Sequence, residues 1–389
     1  MPANLPPEAK AKLAKYSDAR SVEEKIQALE EFISAVPKHK GTENLLLWAR
    51  RRLAELREEL EEKRKRRVGG GPSFFVEKSG AGQAVLIGPP NSGKSSILAA
   101  LTNAKPEVAD YPFTTRMPRA GMLPYEDIQF QIVDTPPLLP GSGSSVNNRV
   151  LGLARNADAI ILVFSLDDPN LVETIDAVVR EVEDRGIVIT RRRGLARIMK
   201  SREVTGVRIE GPGRLTDATE DDVRRLLSQY RIYNAIVYIE GDVSLDDVES
   251  AVYINLVRKP ALAILNKADL PGAREAAEPA VKRLGEIGID TIVASALRGD
   301  GLGEIAPRLF RMLDIVRVYT KQPNKEPDKD PLVLHRGSTV MDVAKHIHKD
   351  LVRRFKYARV WGKSVKYPGQ RVGPEHVVED GDIVEIHVR

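Results

Sequence analysis

The chain has 389 residues, 42% of them hydrophobic and 30% charged, with a formal net charge of +5 and no cysteine. That length predicts two to four domains rather than one core, and the absence of cysteine excludes disulfides, thiol catalysis and thiolate metal sites. With no signal peptide and no apolar run of spanning length, the expectation is a cytoplasmic protein with no membrane association, and the modest positive charge fits a polyanionic partner.

Residues 8–67 read as helical. Val22, Ile26, Leu29 and Ile33 recur at helical spacing behind a Ser21/Glu24 capping box. Trp48, Leu53, Leu56 and Leu60 mark a second, charged helix that runs into Lys63-Arg-Lys-Arg-Arg67. The expectation is a helical hairpin docked on the domain that follows, its basic end either solvated or in contact with RNA. Gly69-Gly-Gly-Pro72 then serves as a flexible link.

Residues 84–87 form an apolar run of strand character and 96–101 read as helix. Between them lies Gly88-Pro-Pro-Asn-Ser-Gly-Lys-Ser95, a match to the phosphate-binding pattern G-x-x-x-x-G-K-[ST]. Gly88 and Gly93 let the backbone curl so that its N–H groups face an anion. The expected nucleotide contacts are Gly88, Pro89, Pro90, Asn91, Ser92, Gly93, Lys94, Ser95 and Ser96, with Lys94 on the β/γ-phosphates and Ser95 on Mg²⁺. Asp110-Tyr-Pro-Phe-Thr-Thr115 supplies a threonine for Mg²⁺ and the γ-phosphate. The alternating run 128–133 ends at Asp134-Thr-Pro-Pro137, which places Asp134 at a strand end to hold Mg²⁺ through water.

Residues 159–164 read as a buried strand. The stretch from about 166 to 231 is too long for one strand-to-strand connection and predicts a small inserted α/β subdomain. Within it Arg191-Arg-Arg193, Arg197, Lys200 and Arg202 are either a solvated face or a track for phosphates. After the apolar run 261–265 comes Asn266-Lys-Ala-Asp269. Asp269 can accept two hydrogen bonds from the N1–H and N2–H₂ edge that guanine has and adenine lacks. Asn266 can brace the base and the phosphate loop, and the Lys267 stem can lie along the base. Ser295, Ala296 and Leu297, after the strand 291–294, offer backbone N–H groups to the guanine carbonyl. This order of elements is that of a GTPase and excludes an ATPase.

The tail from Ile315 predicts a small mixed sheet with one helix (340–351), strands at 332–334 and 357–361, and an edge-like strand at 382–388. Lys349, Arg353, Arg354, Lys356, Arg359, Lys363 and Lys366 interleave with Tyr357, Trp361 and Tyr367, a composition that can bind phosphates and stack on bases. His335, His346, His348, His376 and His387 lack metal-ligand spacing.

Tyr111-Pro-Phe-Thr-Thr-Arg-Met-Pro118 with Gly121, the insertion before Asn266, and Phe355-Lys-Tyr-Ala-Arg-Val-Trp-Gly-Lys-Ser-Val-Lys366 with Gln370-Arg-Val-Gly373 and His376-Val-Val-Glu-Asp380 resemble the Obg superfamily of GTPases. Within it they are most similar to the DRG (developmentally regulated GTP-binding protein) branch and its archaeal relatives, whose C-terminal part is a TGS domain. The resemblance runs from about Gly80 to Arg389. With the alternating strands and helices, which predict a mostly parallel sheet, the expectation is an α/β fold: the helical region (1–72) read above, a P-loop GTPase domain (73–314), and the β-grasp TGS domain (315–389) that the resemblance implies. The resemblance also implies a slow GTPase that uses GTP/GDP and Mg²⁺, associates with ribosomes or structured RNA, and works with a small regulatory protein partner.

By position Thr115, or Thr114 beside it, is the switch threonine, so Lys94, Thr115 and Asp134 are the expected catalytic set. Two departures matter. Pro137 replaces the glycine whose N–H meets the γ-phosphate, and proline has no N–H; either the Leu138 amide substitutes or the clamp is weakened. Leu138 stands where some GTPases carry a water-orienting glutamine, so low intrinsic hydrolysis is expected. An asparagine at the place of Asn91 resembles the potassium-dependent GTPases, where it helps bind K⁺; the alternative is that Asn91 only shapes the loop. The rival to a hydrolytic switch is a GTP-binding RNA or protein adaptor with little turnover.

Overall fold

The structure is a computed structural model describing residues 5–19, 21–37, 42–66, 74–102, 117–190, 194–201, 204–253, 256–323 and 325–388. The chain forms two compact units, one from Met1–Phe74, Leu139–Arg155 and Asp176–Lys259, the other from Phe75–Leu138, Asn156–Ile175 and Pro260–Arg389.

The N-terminal part holds α1 (Pro7–Asp18), α2 (Val22–Ala35) and α3 (Glu43–Arg66). The capping box expected at the start of α2 forms, with the Glu24 N–H donating to Ser21 Oγ at 3.1 Å. Next come β1 (Gln83–Ile87), α4 (Lys94–Leu101), β2 (Arg119–Tyr125), β3 (Ile128–Asp134), α5 (Ser145–Asn156), β4 (Ala159–Ser165) and α6 (Leu171–Glu183). Every residue of β1 and β4 is buried, as expected for central parallel strands covered on both faces, which read as unbroken apolar runs.

The inserted region contains β5 (Ile187–Val188), β6 (Gly194–Lys200), β7 (Val207–Glu210), β8 (Arg214–Leu215), α7 (Glu220–Gln229), β9 (Ala235–Val243), α8 (Leu245–Tyr253) and β10 (Val257–Arg258). It extends well past residue 231, because β9 is its central strand, antiparallel to β6 and parallel to β7 and β8. A second correction concerns the N-terminal helices. They are three rather than a hairpin among the described residues, and their apolar side chains join the core of the inserted sheet: Leu13, Leu29, Phe32 and Leu56 share one buried cluster with Val223, Leu227, Val237 and Ile239. The segment 67–73, expected as a link, lies outside the described residues, as do Arg191–Arg193 and Arg202 of the basic run.

β11 (Ala261–Asn266), α9 (Ala273–Glu286), β12 (Asp290–Val293) and α10 (Ile305–Met312) complete the central domain. Its sheet has the order β12-β11-β4-β1-β3-β2, all parallel except for the antiparallel β2. Chain order reverses beside β1, so the loops leaving the carboxyl ends of β1, β3, β11 and β12 frame the crevice where such sheets bind ligands.

The C-terminal domain comprises β13 (Ile315–Lys321), β14 (Leu332–His335), α11 (Val340–Ile347), α12 (Lys349–Arg353), β15 (Phe355–Trp361), β16 (Gln370–Val372) and β17 (Asp382–Val388), in the sheet order β14-β13-β17-β15-β16. The strand expected at an edge, β17, lies in the middle, parallel to β13 and antiparallel to β15. Its Glu385 and His387, which gave it the look of an edge, bond to each other at 2.6 Å, and Glu385 also accepts from Lys321 at 3.0 Å. The single helix expected at 340–351 breaks at His348, whose ring caps α12.

Candidate functional site

The phosphate loop leaves β1 at a glycine that sterics require. A Cβ on Gly88 would stand 2.1 Å from the Val163 carbonyl oxygen of β4, and one on Gly93, at φ 86°, would stand 2.1 Å from Asn266 Nδ2. Lys94 is 7% exposed; its Nζ donates to the carbonyls of Gly88 (2.9 Å) and Pro89 (3.0 Å) and to Ser92 Oγ (3.4 Å). The first backbone bond of α4 runs from Ile97 N–H to Gly93 O, so the amides of Lys94, Ser95 and Ser96 precede the bonded ladder and point toward an anion. Pro90 and Asn91 are exposed at the loop's outer turn, and Asn91 adopts φ 60°. Asparagine tolerates that left-handed geometry better than most residues.

At the end of β3, Asp134 Oδ2 accepts a hydrogen bond from Ser95 Oγ at 2.6 Å. The other carboxylate oxygen, Oδ1, is buried and has no hydrogen-bond partner among the described residues. Burial pushes the Asp134 carboxyl above its ordinary value, against the Ser95 hydrogen bond and the nearby Lys94 charge. A buried, orphaned carboxylate oxygen beside a serine hydroxyl is the hard-oxygen donor set that Mg²⁺ takes, so the residues present fit that ion. Thr114, Thr115 and the rest of the segment around them lie outside the described residues.

The Leu138 N–H donates to Gly88 O at 3.0 Å, so it is tied to the phosphate loop rather than offered to a γ-phosphate. Its side chain is fully buried and apolar, so it cannot orient water.

Asn266, Asp269 and Ser295, the residues expected to read a base, lie together. Asn266, 2% exposed, donates from Nδ2 to Ser92 O at 3.1 Å and accepts from Ala296 N–H at 3.0 Å, which joins three loops. Ser295 Oγ donates to Asp269 Oδ1 at 2.5 Å, and this bond holds the Asp269 carboxyl below the usual range. The expectation for the amides needs correction: that of Ser295 is bound to Asp300 O and that of Ala296 to Asn266. Leu297, 85% exposed, carries the one of the three for which no partner occurs among the described residues. Sequence reasoning missed Asp167. From the loop after β4 it accepts from Lys267 Nζ at 2.7 Å, which with Ser165 holds its carboxyl low and pins the Lys267 stem. Nothing local in the sequence marks that pairing, which joins residues 100 apart.

Three family models match the chain: one described as a 50S ribosome-binding GTPase over residues 83–193, one as the C-terminal region of that same domain over 204–315, and one as a TGS domain over 316–388. An uncharacterised GTP-binding protein of Methanocaldococcus jannaschii is 37% identical over 378 residues, covering 96% of this chain and 94% of its own. Developmentally-regulated GTP-binding protein 2 of Bos taurus is 32% identical over 366 residues, covering 93% and 98%. The solved YchF GTPase of Schizosaccharomyces pombe is 16% identical, with coverage of 80% and 99% and a TM-score of 0.48. Among the described residues no helix is long and apolar enough to cross a membrane.

Proposed function

Because the chain belongs to the Obg-superfamily GTPases that carry a C-terminal TGS domain, we propose that it is a slow, Mg²⁺-dependent GTPase of the DRG type. In this reading it acts in the cytoplasm as a nucleotide switch on ribosomes or structured RNA. The observation that carries the proposal is the Asp134–Ser95 pair, with its unpartnered buried oxygen, set in the same sheet crevice as the guanine-reading Asp269 and Asn266.

Asp269 selects the base, Asn266 ties the base loop to the phosphate loop, and the Lys94 ammonium exchanges two loop carbonyls for β/γ-phosphate oxygens as GTP seats. Ser95, Asp134 and Thr115 would hold Mg²⁺, which supplies neutralisation of phosphate charge. Pro137 offers no N–H and Leu138 no polar side-chain group, so neither of these two positions orients the attacking water, and a slow intrinsic turnover is part of the proposal. Stimulation by K⁺ through Asn91 is part of the proposal; since φ 60° alone accounts for an asparagine there, a comparison of KCl with NaCl decides that point rather than the residue's identity.

The ribosome or RNA role is supported by the open face of the TGS sheet. Arg371 lies 4.1 Å from the Tyr357 ring centroid, His387 stacks on that ring at 4.4 Å, and Lys321 lies 4.5 Å from the Trp361 ring. Arg359 is exposed on the same face, opposite Arg371 across the ladder. Cations laid against aromatics suit an RNA surface. Binding to ribosomes in the presence of GTP, GDP or neither, at two salt concentrations, tests this role; nucleotide-independent binding would favour the adaptor reading, and none would remove it.

A further inference from the structure

The turn between β2 and β3 departs from the chemistry its geometry prefers. Two-residue turns between antiparallel strands favour Asn-Gly or Asp-Gly, because left-handed backbone is needed. Here the register closes Tyr125 on Ile128 around Glu126 and Asp127, with Glu126 at φ 51°. A local rule broken without local benefit points to a gain elsewhere.

The gain is visible on β13, the first strand of the TGS domain. Arg317 Nη1 donates to Glu126 Oε2 and to Asp127 Oδ1 (2.9 Å), and Tyr319 Oη donates to Asp127 Oδ2. Asp380 of the TGS domain takes the other edge of the guanidinium, at 3.0 Å from Nε and 2.8 Å from Nη2, and also accepts the Arg317 N–H at 2.8 Å. The Arg317 side chain is 14% exposed and lies 5.2 Å from the Phe310 ring of α10. One cation thus joins three carboxylates, two from the hairpin tip and one from its own domain. Without it those carboxylates would face one another as like charges.

The hairpin is also placed to sense nucleotide. β3 runs from the clamped tip to Asp134, a span of about 23 Å at the rise of a strand. Only Leu313 and Asp314 separate α10 from β13, so an opened clamp would let the TGS domain hinge while still attached.

We propose that Arg317 is a positioning residue that latches the TGS domain to the β2–β3 hairpin, so that the nucleotide state at Asp134 sets how the TGS domain is held. By reciprocity, docking of the TGS domain sets the relative affinity for GTP and GDP. The inference rests on the GTP-switch reading above.

The test uses the full chain, whose lack of cysteine allows spin labels at Ala100→Cys and Lys363→Cys alone. Distance distributions are recorded with GDP and with a non-hydrolysable GTP analogue, and affinities for both nucleotides are measured on the same samples. The latch predicts distributions that differ between the two nucleotides and converge in Arg317→Ala. It also predicts a change of about fivefold or more in the GTP-analogue/GDP affinity ratio, the scale of ordinary allosteric coupling. Asp127→Asn, a milder change at the exposed tip, is expected to act in the same direction and non-additively with Arg317→Ala. A merely structural Arg317 would lower thermal stability and leave the ratio unchanged. Nucleotide binding with identical distributions in the parent protein overturns the latch alone, whereas failure to bind either nucleotide overturns the GTP-switch reading together with it.

Discussion

At the scale of single residues, the site separates two carboxylates by environment. Asp134 is raised by burial and Asp269 is lowered by the Ser295 hydroxyl. For an acid raised in the folded state, the folded protein binds the proton more readily than the unfolded one, so stability falls as pH rises through its titration. Asp134 therefore destabilises the metal-free protein at neutral pH. Asp134→Asn is expected to raise the metal-free melting temperature by about 2–4 °C, on the order of 1 kcal/mol, while lowering Mg²⁺-dependent turnover about 100-fold or more. Calorimetry with and without Mg²⁺, alongside phosphate release, reads both effects; a lowered metal-free melting temperature would contradict the orphaned-oxygen argument. Asp269→Asn replaces one acceptor with a donor, which mismatches guanine and matches the N1–H/O2 edge of xanthine. Competition binding should show GDP weakened about 10-fold or more and xanthosine diphosphate gained. Leu138→Gln places an amide in a fully buried position and should destabilise by about 1–3 kcal/mol without accelerating hydrolysis. The phosphate and base motifs were legible because each is a short run with fixed spacing. Asp167 was not, because its partner Lys267 arrives from a neighbouring strand.

At the scale of elements, strands buried on both faces were the most readable, since continuous apolar runs leave little choice of register. Position within a sheet was harder to read. β17 alternates like an edge strand, yet its Glu385 is matched by Lys321 and His387. The helix at 340–351 was read as continuous because its composition is uniformly helical; only the backbone at His348, φ −165°, divides it. Arg197, read as part of either a solvated face or a phosphate track, bonds Glu240 at 3.2 Å and lies over Tyr238 on the inserted sheet's own surface. The core shared by α2 and β9 gives a test at this scale. Phe32 is fully buried, and Phe32→Ala should cost about 3–5 kcal/mol. Hydrogen exchange should then show lost protection in α1–α3 and β9 together, with β1 and β4 unaffected. Loss confined to the helices would contradict a shared core.

At the scale of the whole molecule, local sequence could not reveal that the N-terminal helices belong with the insertion, because the contact joins segments some two hundred residues apart through apolar side chains that any core would accept. Domain order was legible, whereas domain companionship was not. The phosphate and base motifs all lie on loops of the one central sheet. The claim on which the rest depends is that this site turns over GTP. The direct measurement is phosphate release from GTP by the purified protein with and without Mg²⁺, in KCl and in NaCl at matched ionic strength, beside Lys94→Ala. The account predicts slow, Mg²⁺-dependent turnover that is abolished in Lys94→Ala and higher in KCl. GTP bound without Mg²⁺-dependent release, in either salt, would contradict it and leave a guanine-nucleotide-binding adaptor in its place.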